Sequence, residues 1–208
     1  MSIRHIGFDL DGTLIDTREL IVASIVGCVA PHHRERASER AEARVRESPT
    51  AILAEFGVSG LQSYWKLHAR MCGHARLFSS HTRATLERLR SHGVTLSVVT
   101  SLPAQPANKL LAAAGLRDLF GLVDTYASRR FRKPAPELLE DHLAEIGIDP
   151  SQSAYLGDTE GDMQMASRAG AHAWAAGWSE APRARLREAG AERIIVAIED
   201  LIDTAFRH

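Results

Sequence analysis

The sequence predicts an α/β fold: a parallel sheet covered by helices on both faces, with a helical insertion. Three observations carry this. Short β-rich runs alternate with segments of helical spacing, a glycine closes one helical segment after another, and one long early stretch has no β run. Strand, helix, glycine and strand in repetition is the pattern of a parallel sheet packed on both sides.

In chain order, the first run contains Ile3, Ile6 and Phe8 and ends in Asp9-Leu10-Asp11-Gly12-Thr13. Residues 15–79 then show helical patterns only and are read as an insertion between the first and second core strands. Within it, Arg36, Arg40 and Arg44 recur every four residues, which places them on one helix face beside Glu35, Glu39 and Glu42. A solvated face is the expectation there. His32-His33 are not read as metal ligands, and His68, Cys72 and His74 have tolerable ligand spacing without a clear fourth member. Tyr64-Trp65 is read as packing between insertion helices, and Arg18, Arg46, Lys66 and Arg70 as cationic candidates for gripping a ligand. The second core run, VTLSVVT (94–100), is strongly β-branched and ends in Thr100-Ser101. Further runs are predicted at 122–126, 153–157, 171–175 and 193–198, with helical spacing at Leu86/Leu89, Leu110/Leu111/Ala114 and Leu139/Leu143/Ile146. Gly93, Gly115, Gly147, Gly170 and Gly190 each follow a helical segment, where a left-handed stop favours a residue without Cβ. Trp174 and Trp178 follow from a late strand as core or rim residues. A helix over 197–206 is predicted to cover the sheet, and an exposed face on it would suit a dimer, so oligomeric state stays open.

Composition narrows the function classes. The 208 residues carry 25 Lys and Arg against 26 Asp and Glu, a net charge of −1, so no bulk field points to nucleic acid or acidic lipid. No apolar run is long enough to span a bilayer, and no leader peptide is read at the N-terminus. Cys28 and Cys72 make no disulfide framework, so a reducing, cytoplasmic setting is expected.

Ligands in open parallel sheets bind beyond the carboxyl ends of the strands. Three such ends bring Asp9, Asp11, Asp158, Asp162, Thr100 and Ser101 to one rim, and Lys133 joins them from RKPAPELL, where Pro134 and Pro136 suit an extended entry and a first helical turn. Crowded carboxylates repel one another unless a cation lies between them. All-oxygen, anionic ligands suit Mg²⁺. Asp9 and Asp158 are expected as direct ligands and Asp162 directly or through water, with a backbone carbonyl of the Asp9–Asp11 turn completing the shell. A carboxylate next to Mg²⁺ and Lys133 can attack phosphorus, and Asp11, beside the metal site in the chain, can hold the proton that the leaving alcohol needs. Thr100 and Lys133 can bind phosphoryl oxygens, with backbone N–H groups around Leu10 and Ser101 as further donors.

The ordered set resembles the haloacid dehalogenase superfamily, whose signature runs DxDGT, then Thr or Ser, then Lys, then GDxxxD. Here these are Asp9–Thr13, Thr100, Lys133 and Asp158/Asp162. FDLDGTLIDT looks most like the phosphoglycolate phosphatase and pyrophosphatase-like branch. The resemblance implies a three-layered Rossmann-like core made of 1–14 and 80–208, with 15–79 as a helical cap. It also implies Mg²⁺ as cofactor, Asp9 as nucleophile, Asp11 as acid and base, and a small phosphorylated substrate. A sugar-phosphate mutase or an inorganic pyrophosphatase would use the same residues, and a non-enzymatic phosphate-binding protein is the remaining alternative. The insertion departs from the usual pattern, reading RLFSSHTRATLERL at 76–89, so it carries no substrate assignment.

Overall fold

The computed structural model describes residues 3–44, 48–125, 130–179 and 181–206, and Arg46 and Tyr126 fall outside them. The chain begins with β1 (His5–Phe8) and the short β2 (Ile15–Asp16). The helices α1 (Arg18–Cys28), α2 (Arg34–Ala43), α3 (Pro49–Ala54) and α4 (Gln62–Met71) follow, then the short β3 (Arg76–Leu77). After it come α5 (Thr82–Ser91), β4 (Thr95–Val99), α6 (Ala104–Ala113), β5 (Leu122–Asp124) and α7 (Glu137–Ile146). The chain continues through β6 (Ser153–Gly157), α8 (Glu160–Arg168), β7 (His172–Ala176), α9 (Arg183–Glu188), β8 (Arg193–Ile195) and α10 (Asp200–Phe206).

Six strands form one parallel sheet in the order β5-β4-β1-β6-β7-β8. Successive residues of a strand point to opposite faces, and the sequence uses both. Ala154 and Leu156 of β6 join Ile6, Phe8, Leu96, Val98 and Trp174 in a core covered by α5, α6 and α10. Tyr155 points the other way, with Val99, Ala173 and Ala175, into a core covered by α7, α8 and α9. The result is helix, sheet, helix. All five glycines expected to stop helices have positive φ, between 65° and 111°.

Between the first two strands of this sheet, α1 to α4 enclose a core of their own, including Ile25, Val29, Ile52, Leu53 and Tyr64. The expectation of no β structure in 15–79 needs correction. Ile15 pairs with Leu77 and Asp16 with Arg76 in an antiparallel ribbon that closes the insertion at its two ends. Strands of two residues cannot display an alternating pattern, so periodicity misses them. Several boundaries also move, most of all near the C-terminus: the last strand stops at Ile195, with Val196 59% exposed, and the terminal helix starts at Asp200. Asp200 accepts a hydrogen bond from the Ala197 N–H at 3.0 Å, which ties down the turn before it.

Arg36 and Arg40 are exposed, as a solvated face requires, and the arginine row also meets the end of α3. Arg44 and Arg40 pair with Glu55, and Arg36 lies 5.8 Å from the Phe56 ring centre. Cys72 is buried and its Sγ–H points at the His68 carbonyl, while the His74 ring contacts the Met71 carbonyl. Among the described residues, His68, Cys72 and His74 do not gather as a group able to hold a metal ion.

A buried polar chain crosses the α7 face of the sheet. His5 contacts Ser153 Oγ at 2.8 Å and Ser97 Oγ at 2.7 Å, Ser97 contacts His142 at 2.6 Å, and His142 contacts Asp124 at 2.5 Å. Each imidazole and hydroxyl thereby finds a partner, which is what allows polar groups inside. Burial, then the nearby His142, lowers the His5 pKa to about 3.

His68 is buried without such help: neither ring nitrogen has a hydrogen-bond partner among the described residues, and burial lowers its pKa to about 4. The unfolded chain therefore binds a proton near pH 6.5 that the folded protein refuses. Stability drains away as pH falls from about 6.5 towards 4, by roughly 1.4 kcal/mol per pH unit for each such histidine. His68→Leu is expected to raise stability at pH 5 by about 2 kcal/mol more than linkage-neutral changes do. Urea melts of both proteins at pH 7.5 and pH 5 check this, and an identical pH dependence would refute it.

Candidate active site

The strand order decides where a ligand sits. From β1, at the centre of the sheet, the chain goes first to β4 on one side and later to β6 on the other, so a crevice opens beyond the carboxyl end of β1. Phe8 is in register with Val98 and Leu156. Asp9 follows Phe8 by one residue, and Thr100 and Asp158 follow Val98 and Leu156 by two, so all three leave the carboxyl ends of neighbouring strands.

The loop after β1 is tightly wound. The Leu10 carbonyl accepts from the N–H groups of Thr13, Leu14 and Ile15 at 3.0–3.4 Å, which commits that oxygen to the turn. Gly12 has φ 76°, and a Cβ there would lie 2.5 Å from Asp158 Oδ2. The turn thus passes directly over the Asp158 carboxylate, and Thr13 Oγ1 lies 3.5 Å from its other oxygen.

Asp9, Asp158 and Asp162 each offer a carboxylate oxygen within 4.8 Å of the others, and all three are buried. Asp11 is not part of that group. Lys133, from the loop before α7, donates to Asp9 Oδ1 at 2.7 Å and lies 2.8 Å from Asp162 Oδ1. The second contact is a buried ion pair. Below the ammonium, 5.3 Å away, is the ring of Tyr155, whose O–H donates to the Val99 carbonyl at 2.6 Å. The Thr100 hydroxyl accepts from the Leu102 N–H at 3.2 Å, which fixes its position at the end of β4.

Asp162 has two tasks. Its Oδ2 accepts from the Thr159 N–H at 3.0 Å and from the Thr159 hydroxyl at 2.6 Å, while Thr159 Oγ1 accepts from the Asp162 N–H at 3.2 Å. This reciprocal capping box starts α8. It also holds Oδ1 towards Lys133. Thr159, not Asp158, is the cap, and Asp162 is 0% exposed.

The electrostatics follow from crowding. Burial raises the Asp9 pKa to about 6 against the opposing pull of Lys133, with Asp162 adding to the rise. Burial and then Asp9 raise Asp11 to about 7, while a hydrogen bond from Thr17 holds it back. Desolvation opposes the charge on Lys133, but Asp162 and Asp9 more than offset it and raise its pKa well above normal. One ammonium faces a cluster of acids. Oxygen-only donors on three buried carboxylates within 4.8 Å of one another fit a hard divalent cation of the Mg²⁺ type, with Asp9, Asp158 and Asp162 as its side-chain holders.

Above these residues is a cavity of about 930 Å³. Asp9, Asp11, Thr100, Ser101, Lys133 and Asp158 form its floor. Of the expected gripping residues Arg18 lines it, whereas Lys66 and Arg70 do not. Tyr64 does double duty, packing in the insertion's core and reaching the cavity with Trp65. Sequence reasoning missed Thr17, Phe78 and Arg132, which lie on loops or helix starts without a recognisable spacing. Trp178 was named only as a rim or core residue, and its indole N–H donates to the Thr13 carbonyl at 2.9 Å, fixing the ring at the cavity edge.

Comparison with known proteins places the chain in a family. A family model described as haloacid dehalogenase-like hydrolase matches residues 6–176. The pyrophosphatase PpaX of Bacillus velezensis is 30% identical over 179 residues, covering 83% of this chain and 82% of that protein. A phosphoglycolate phosphatase of Haemophilus influenzae is 28% identical over 187 residues, covering 81% and 83%. The crystal structure of a subfamily IA hydrolase from Geobacter sulfurreducens aligns with a TM-score of 0.74 at 21% identity, over 98% of this chain and 96% of that one.

Proposed function

The chain belongs to the haloacid dehalogenase-like hydrolase family and is a phosphatase of it, and on that premise we propose that it hydrolyses a small organic phosphate monoester through an aspartyl-phosphate, with Mg²⁺ as cofactor. One observation carries the reading: three buried carboxylates within 4.8 Å of one another, with Lys133 against two of them. Bound there, Mg²⁺ would neutralise the phosphoryl oxygens and hold Asp9 ionised.

The chain's own residues then have distinct tasks. An Asp9 carboxylate oxygen forms a bond to phosphorus while the bond from phosphorus to the ester oxygen breaks. Asp11, with its pKa raised to about 7, gives its proton to the departing alkoxide. Water next attacks phosphorus and loses a proton to Asp11, and the bond to Asp9 breaks, releasing inorganic phosphate. Lys133, the Thr100 hydroxyl and the backbone N–H groups of Leu10 and Ser101 hold the phosphoryl oxygens. Residues 15–79 act as a cap over a core of 1–14 and 80–208, with the β2–β3 ribbon as its base. The cap keeps bulk water away until the alcohol has left.

The test is an assay of phosphate esters, phosphoglycolate, pyrophosphate and sugar phosphates, with Mg²⁺ and with chelator. Metal-dependent phosphate release is the expected outcome. A sugar phosphate that changes isomer without release would instead establish a mutase, and release undiminished by chelator would refute the cofactor. Gly12→Ala, which forces a Cβ against Asp158 and a positive φ on alanine, is expected to raise the Mg²⁺ concentration at half-maximal rate by about 10–100-fold. An unchanged Mg²⁺ dependence would remove Asp158 from the metal set.

A further inference from the structure

The walls of the cavity carry information that its floor does not. The floor handles one phosphoryl group. Beyond it, the cap contributes Ile21, Leu61, Tyr64, Trp65 and Phe78, and the core rim contributes Trp178. Four of these six are aromatic. The indole of Trp178 is held by its bond to the Thr13 carbonyl, and the Phe78 ring lies 6.5 Å from it, centre to centre. Phe78 is 37% exposed and lines the cavity, so part of its ring is open to a ligand there.

Cations, by contrast, are few. Among the described lining residues, only Arg18, Arg132 and Lys133 carry a full positive charge, against Asp9, Asp11, Asp16 and Asp158. Lys133 faces Asp9 and Asp162. Arg18 donates through a guanidinium nitrogen to the Glu42 carbonyl at 3.0 Å, and its own N–H lies 3.2 Å from Asp16 Oδ1. Arg132 donates to the Phe131 carbonyl at 2.7 Å. A phospho-acid of two carbons, or pyrophosphate, would put a second anion against this aromatic wall, where an unpaired charge loses hydration without compensation. Such molecules would also occupy a small part of a space that equals about thirty water volumes.

We infer that the leaving group is an uncharged alcohol bearing an aromatic ring, seated between Phe78, Trp178 and the Tyr64–Trp65 side of the cap. This rests on the phosphatase reading and refines its substrate class. The phosphate enters the carboxylate and lysine floor, and the ring stays above it among rings, where stacked and edge-on contacts add to burial.

The experiment compares kcat/KM for 2-phenylethyl phosphate, ethyl phosphate, phosphoglycolate and pyrophosphate with Mg²⁺, each against Asp9→Asn as the blank. The first two esters have alkyl leaving groups of similar basicity, so their ratio reports on the ring. A preference for 2-phenylethyl phosphate over each of the others by about tenfold or more is expected, the worth of burying one phenyl ring. Phe78→Ala is expected to shrink the ratio of phenylethyl to ethyl ester by about threefold or more. Ethyl phosphate or phosphoglycolate turned over as well as the phenylethyl ester would overturn the inference and leave the monoester phosphatase reading intact, whereas pyrophosphate turned over as well would overturn the inference and the monoester reading together. No Asp9-dependent release from any of the four would overturn both.

Discussion

Asp9→Asn is expected to abolish phosphate release, lowering kcat by about four orders of magnitude or more, since the residue that forms the covalent bond has no substitute nearby. The amide keeps the shape of the carboxylate, and its oxygen can still accept from Lys133 Nζ, 2.7 Å from Asp9 Oδ1 in the wild type. The variant is therefore expected to fold, and a cooperative thermal transition by circular dichroism confirms that the loss is chemical. Asp11→Asn separates the two aspartates further. It retains the nucleophile and is expected to lose about 10²–10⁴ in rate, the usual contribution of a positioned acid or base. Beryllium fluoride, a phosphoryl mimic, is expected to be retained by the wild type and by Asp11→Asn but not by Asp9→Asn. Turnover of Asp9→Asn within tenfold of wild type would remove Asp9 as nucleophile.

Lys133→Met carries the largest expected change in stability. The ammonium is the partner of two buried carboxylates. Taking away one side of such a pair leaves charge inside the protein without compensation, a loss of about 3–5 kcal/mol. The sign of its pH dependence follows from Asp9, whose pKa is already raised to about 6 by burial while Lys133 is present. Without that opposing charge Asp9 binds its proton more tightly still. A folded-state pKa above the unfolded one gives stability that is present below the unfolded value near 4 and lost as pH rises through the folded value. The deficit of Lys133→Met in metal-free protein is therefore expected to be greatest above pH 6 and to shrink as pH falls towards 4. Denaturant melts at pH 7.5 and pH 5 measure it. A deficit that is equal at both, or absent, would mean that Lys133 is not the counter-charge of this cluster.

Much of the architecture could be read before any coordinates, because its signals are local. The β-branched run before Thr100 and the glycines with positive φ express preferences of single residues or short windows. The run 153–157 was delimited to the residue, bounded by a turn on one side and a capped helix on the other. The β2–β3 ribbon was not legible, for it joins residues about sixty positions apart through two residues on each side. The capping box of α8 was present in the sequence as Thr159 and Asp162, three apart. Asp158 competes with Thr159 for the cap in the sequence, and only the fold shows Thr159 taking it.

The sequence by itself determined which chemistry is possible here: carboxylates, hydroxyls and an amine at strand ends, in an order that resembles one family. That much follows from residue identity and spacing, since a strand end and a helix start are set within a few residues. Tertiary structure alone decided which of these groups share a space. Lys133 reaches Asp9 across 124 residues of chain, and Trp178 closes on the Thr13 carbonyl across 165. Those distances result from sheet order and helix packing, which sum weak contacts over the whole molecule. The aromatic wall, and with it the shape of the substrate, therefore became visible only when the cap and the core were seen together.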